Sequence, residues 1–237
     1  MKEKMYDMLK LMISILSFFI VGDIINLILK LFGITLEESN ALGMVVYQLI
    51  ASTIIFIVLF ILYFKAIKKD YKTFKNCLKK NILLIIKTFI IFMILKYTVS
   101  FITAIIMVIL KLDMESINSI NQKLIETYIK SSPTLMFIST ALLAPVYEEL
   151  LFRLGIKKVV GRNRWFIIIS GTIFGLLHVF PLEEGVSLTL GLVQSISYVT
   201  MGLFLAYIYK KTNNIFISIG IHFLNNFLSI LTMINMF

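Results

Sequence analysis

Two adjacent carboxylates, followed four residues later by an arginine, interrupt an apolar stretch in which Pro145 to Arg153 reads Pro-Val-Tyr-Glu-Glu-Leu-Leu-Phe-Arg. Ionisable side chains within a bilayer are costly, so they are kept for a function and face a partner or a water-filled cavity. Glu149 and Arg153 are four apart, share a helical face and can pair. Glu148 is turned about 100° from Glu149 on the same helix, free to face a different cavity. The chain's only two histidines also fall in apolar runs: His178 follows Gly171, Phe174 and Gly175, and His222 lies four residues before Asn226. On a helix His222 and Asn226 share a face, while Asn225 points elsewhere. Amide hydrolysis needs an activated water and donors aimed at the developing oxyanion. A desolvated carboxylate can be the base, one histidine can position the water, and a second histidine with an amide can stabilise the oxyanion. Two histidines and one carboxylate, here Glu148, His178 and His222, are equally a catalytic zinc set with an open position for water. Metal-free and metal-assisted chemistry both stand on these residues.

These groups must be carried by membrane helices. A crossing takes about 20 apolar residues, and the chain offers seven such runs, at about 9–32, 43–64, 82–110, 133–152, 165–180, 188–209 and 214–235. The third is long enough to tilt, with Lys87 and Lys96 snorkelling or facing the bundle. Glu148 and His178 reach one depth only if the fourth helix runs on to about Lys157 and keeps Arg153 below the surface. Small residues around His178 allow another helix to approach closely. The expected fold is all-α, one polytopic bundle of about seven to eight transmembrane helices spanning 1–237 as a single domain.

Composition agrees. The chain is 59% hydrophobic and 15% charged, with mean hydropathy +0.95, outside the range of soluble domains. Its net charge of +10 does not point to nucleic acid, because the basic residues sit in short loops between apolar runs. Residues 2–10, 65–81, 153–164 and 210–211 hold most of them, so a cytoplasmic N-terminus satisfies the positive-inside bias. Glu37 and Glu38, a mixed stretch 111–132, and Glu183 and Glu184 then fall on the opposite side, as does the C-terminus. The first run contains Asp23 and lacks a small-residue cleavage site, so it is expected to be a retained span. Apolar residues at Ile117, Ile120, Leu124, Ile125 and Tyr128 suit a helix at the interface within Met114–Ser131. The single cysteine, Cys77, lies in a lysine-rich loop without histidine, which excludes a disulfide framework and gives no thiol nucleophile.

Other intramembrane protease chemistries fail on the residues. Neither histidine belongs to a His-Glu-x-x-His motif, Ile168-Ile-Ser170-Gly171 lacks the first glycine of Gly-x-Ser-Gly, and Asp23 is the one aspartate suited to a membrane position. What remains, Glu148-Glu149-x-x-x-Arg153, Phe174-x-x-x-His178 and His222-x-x-x-Asn226 in that order, resembles the CPBP family of intramembrane proteases, also called the Abi or CAAX-protease family. The resemblance covers about residues 133–235. It implies that Glu148 is the general base, holding the water with His178. It implies an oxyanion hole of His222 and Asn226, with Glu149, Arg153 and Phe174 in support. The favoured mechanism requires no cofactor, and a divalent metal such as zinc is the alternative.

The resemblance further implies a peptide or protein substrate at the lipid bilayer of a cell membrane. Peptide maturation or bacteriocin self-immunity fits a sequence of this composition better than a prenylated C-terminus does. A water-filled cavity open toward the cytoplasmic side is expected. Two alternatives come from other classes: a non-catalytic membrane scaffold of the same fold binding a peptide or partner protein, and a small proton-coupled transporter using Glu148 as carrier. No inverted repeat supports the transporter.

Overall fold

A computed structural model of the protein describes residues 2–36, 40–113, 120–182 and 185–235. Among the described residues there are eight helices: α1 (Lys2–Leu31), α2 (Ala41–Asn76), α3 (Leu78–Ile109), α4 (Ile120–Ser131), α5 (Pro133–Val160), α6 (Arg164–Leu177), α7 (Leu188–Thr212) and α8 (Ile215–Ile234). There is no strand among the described residues. Side chains start several helices by accepting a first-turn N–H, as Asn40 does from Gly43, Asn163 from Phe166, Ser187 from Leu190 and Asn214 from Phe216, which satisfies donors that have no partner within the helix. Gly161 stops α5 with φ 88° and ψ 174°, a backbone that glycine adopts readily, and Asn213 (φ 52°, ψ 30°) stops α7 in the left-handed conformation that ends a helix.

Six helices, all except α4 and α6, are long and apolar enough to cross a membrane. The fifth apolar run, expected over 165–180, forms the 14-residue α6. At 1.5 Å per residue α6 is about 21 Å long, less than the roughly 30 Å hydrocarbon core. The apolar sequence continues beyond the helix, but backbone bonding ends there: His178 is the C-cap and a turn leads to Pro181. Among the described residues the bundle therefore has six helices of spanning length and a shorter apolar one. The fourth run extends in the other direction. α5 continues to Val160 with Arg153 fully buried, the extension that a shared depth for Glu148 and His178 requires.

α5 is the central helix, and every residue from Glu149 to Gly155 is buried. It is also irregular, with π-helical turns at Phe137–Leu143 and Glu149–Gly155, a widening often found at functional sites. Around it, α1, α2 and α3 turn large apolar side chains outward, among them Leu27, Ile61 and Phe101, as lipid-facing helices do. α6 and α7 approach so closely that a Cβ on Gly171 or Gly175 would meet the backbone of Leu203 or Val199, and one on Gly202 would meet the carbonyl of Gly171. These small residues bring the helix carrying His178 against its neighbour.

The basic termini gather at one end. Lys158 pairs with Asp7 at 3.1 Å, Lys157 donates to Tyr209 and Asn213, Arg162 caps the Lys210 carbonyl, and the Asp70 carboxylate accepts the Ile215 N–H at the start of α8. At the other end α4 packs Ile125, Tyr128 and Ile129 against Val45, Met136, Ile230 and Met233, so the described part of the expected interfacial helix is docked on the bundle. Residues 114–119, including Ile117, lie outside the described residues, as do Glu37, Glu38, Glu183 and Glu184.

Candidate active site

The two carboxylates of α5 face different surroundings, as their 100° offset requires. Glu149 is completely buried, with Arg153 Nε 3.2 Å from its Oε2 and His222 Nδ1 3.1 Å from its Oε1. The Arg153 Nε–H is not aimed along the line to the carboxylate, so that contact is Coulombic rather than a hydrogen bond. Arg153 is held besides by its Nη1, which donates to Ser170 Oγ at 3.0 Å, while that hydroxyl donates to the Phe152 carbonyl. Its guanidinium lies over the Phe174 ring at 4.6 Å.

Glu148 points toward the histidines. Its Oε2 is 4.0 Å from His178 Nε2 and 3.7 Å from His222 Nε2, and it is a buried atom without a hydrogen-bond partner. The outer nitrogens of both rings are committed. His178 Nδ1 lies 2.8 Å from the Phe174 carbonyl, and a carbonyl only accepts, so Nδ1 carries the hydrogen and the neutral ring offers a lone pair at Nε2. His222 Nδ1 is likewise directed at the Glu149 carboxylate. The His178 ring is sandwiched between Phe174, at 4.4 Å, and Tyr198, at 5.0 Å, and Phe174 also meets His222 edge-on. Phe174 thus touches both histidines and the arginine, which explains its place in the pattern.

Asn226 Nδ2 donates to the Thr140 carbonyl at 2.9 Å. That carbonyl is available for a local reason. In the wide turn the Ala144 N–H reaches back to Ser139, so the next position would take Thr140, and Pro145 has no N–H to give. Asn225, expected to point elsewhere, lines the same cavity and donates to Asn226 Oδ1 at 3.0 Å. Adjacent positions on a helix diverge by about 100°, but the cavity is wide enough to receive both.

Lys96 of α3 turns inward and donates to Asn225 Oδ1 at 2.9 Å, whereas Lys87 is exposed. Lys96 is the site-facing residue that helical spacing within the signature region could not find, because it comes from a helix outside that region. Its one sequence signal was a charge in the middle of an apolar run.

Lys96, Glu148, His178, His222, Asn225 and Asn226 line a cavity of ≈ 370 Å³. From Glu148 it extends past Gln48, Thr103, Gln194 and Ser229 to Met233, which lie toward the start of α2, the end of α3, the start of α7 and the end of α8. The cavity therefore runs away from the basic end, opposite to the direction expected from the sequence. The basic end is filled by the large buried side chains of Phe166, Tyr209 and Ile215, whereas the other half carries smaller polar side chains that leave space.

A tetrahedral zinc about 2.0–2.1 Å from its ligands would bring their donor atoms to about 3.3 Å of one another. The separations of 3.7 and 4.0 Å around Glu148 Oε2 are wider, and among the described residues no group of three or more His, Cys, Asp or Glu is arranged to hold a metal ion. The three side chains as placed do not fit a zinc.

Comparison with curated proteins and with solved structures returned no match. A family model described as type II CAAX prenyl endopeptidase Rce1-like matches residues 130–228, a stretch that contains both carboxylates, both histidines, Arg153, Phe174 and Asn226. Over that stretch the chain is similar to the CPBP, or Abi/CAAX-protease, family whose motifs it resembles.

Proposed function

We propose that the protein is an intramembrane endopeptidase that hydrolyses a peptide bond of a membrane-associated protein or peptide with a water activated by Glu148. The observation that carries this reading is the buried Glu148 Oε2, without a hydrogen-bond partner, facing the Nε2 atoms of His178 and His222 in the cavity. A water about 2.8 Å from each partner spans the gap from Glu148 to His178, donating one hydrogen to the carboxylate and one to the histidine lone pair. Glu148 takes the proton as the water oxygen attacks the scissile carbonyl, and later delivers it to the leaving amine.

The oxyanion is met by His222 and by the second N–H of Asn226. His222 turns its Nε2 toward Glu148 while its Nδ1 is directed at the Glu149 carboxylate. Glu149 and Arg153 hold the His222 ring, and Phe174 holds His178. No step passes through a metal, and cleavage is expected to survive EDTA.

A cytoplasmic N-terminus puts the basic end inside and the long axis of the cavity toward the outer face. Peptide maturation and bacteriocin self-immunity are settings that suit such a substrate. The test compares membrane and secreted peptides, with their termini mapped by mass spectrometry, between cells carrying the native chain and cells carrying Glu148→Gln at equal abundance. Cleavages that vanish with the variant support the reading and identify the substrate. An unchanged peptide set, with both forms rescuing a deletion phenotype, would leave a non-catalytic scaffold that binds a peptide through the cavity.

A further inference from the structure

We infer that Lys96 is a positioning residue for the proposed hydrolysis, setting the direction of a hydrogen-bond chain that ends on the oxyanion-binding amide of Asn226. The inference rests on the reading of the cavity as a protease site. Four groups form the chain: Lys96 Nζ to Asn225 Oδ1 at 2.9 Å, Asn225 Nδ2 to Asn226 Oδ1 at 3.0 Å, and Asn226 Nδ2 to the Thr140 carbonyl at 2.9 Å. An asparagine amide alone can face either way, because its oxygen and nitrogen are nearly isosteric. Here both ends of the chain are unambiguous. An ammonium only donates and a backbone carbonyl only accepts, so each amide between them has a single orientation that satisfies every partner.

The consequence lies in what is left over. With Asn226 Oδ1 occupied by Asn225 and one Nδ2 hydrogen given to Thr140, the remaining polar hydrogen of Asn226 is a donor, and Asn226 lines the cavity. Were Asn225 to flip, its oxygen would face Asn226 Oδ1, and relief would require Asn226 to turn an acceptor toward the reacting carbonyl and to strand the Thr140 carbonyl. A donor-only residue at position 96 forbids that arrangement. No carboxylate of the described residues lies within ion-pairing distance of Lys96. A charged side chain in a membrane cavity without a counter-ion is costly, and fixing the amide pair is a function its geometry can serve. Aligned donors also polarise one another along the chain.

Four forms of the full chain in detergent test this: native, Lys96→Met, Lys96→Arg and Asn225→Asp. The informative variant is Asn225→Asp, which keeps an acceptor for Lys96 but has no hydrogen to give Asn226. Two readouts are used. The first is the side-chain amide NMR signals of asparagine-labelled protein, with Asn226 assigned from Asn226→Ala. The second is kcat and KM on a fluorogenic peptide built on a Glu148-dependent cleavage site.

Lys96→Met and Asn225→Asp are expected to move the Asn226 amide signals and to lower kcat by about 10- to 100-fold, below the 10²–10³ of deleting an oxyanion donor outright. KM should change by less than about twofold, since an oxyanion donor acts on the transition state, and Lys96→Arg should recover most of kcat. Unmoved Asn226 signals in Lys96→Met, or native kcat in Asn225→Asp, would overturn the assignment. If the signals move but no Glu148-dependent cleavage exists, the amide chain stands and the protease reading falls.

Discussion

Arg153→Met tests whether the buried ion pair holds the site together. Arg153 and Glu149 are each fully buried, 3.2 Å apart, and the methionine that fills the arginine's space leaves the carboxylate without its guanidinium. Breaking one partner out of a buried pair costs about 3–5 kcal/mol, because it strands a charge. For chains of this size 1 kcal/mol moves Tm by about 2–4 °C, so a fall of about 6–20 °C is expected. Loss of the helical circular-dichroism signal during heating in detergent reports the unfolding. The double variant Glu149→Gln/Arg153→Met removes the stranded charge and should recover at least half of the loss. If Arg153→Met melts within about 2 °C of the native chain, or if the double variant is no more stable than the single one, the stranded-charge account is wrong.

Further outcomes follow from close contacts. Gly175→Val should abolish recovery of monodisperse protein by size exclusion, because even the first carbon would collide with the Val199 backbone and α7 has no room to retreat; normal yield would refute the close approach. Pro145→Ala supplies the missing N–H for the Thr140 carbonyl and so competes with Asn226. It should raise Tm while lowering kcat, and unchanged kcat would show that the Thr140 contact does not orient the amide.

What the linear order of residues determined was whatever depends on helical periodicity and on the cost of charge in lipid. The four-residue spacing of Glu149 and Arg153 yields their pairing, and the one-residue offset of Glu148 turns it toward the histidines. Isolated polar groups in apolar runs marked both histidines and Asn226 before any contact was known. Gly171 and Gly175 foretold a close neighbour for the helix carrying His178, though not which helix.

Tertiary structure alone decided the rest. Helix length is a matter of backbone bonding, so hydropathy overran the end of α6 at His178. Lys96 reached the site because α3 packs beside α8, a contact between residues 129 positions apart that no local spacing encodes. Asn225 joined the cavity because its width, not its angle on the helix, governs access. The cavity runs away from the basic end because bulky side chains from α6, α7 and α8 meet there. Composition places charge at the ends of a bundle, but where space remains between helices depends on which side chains are brought face to face.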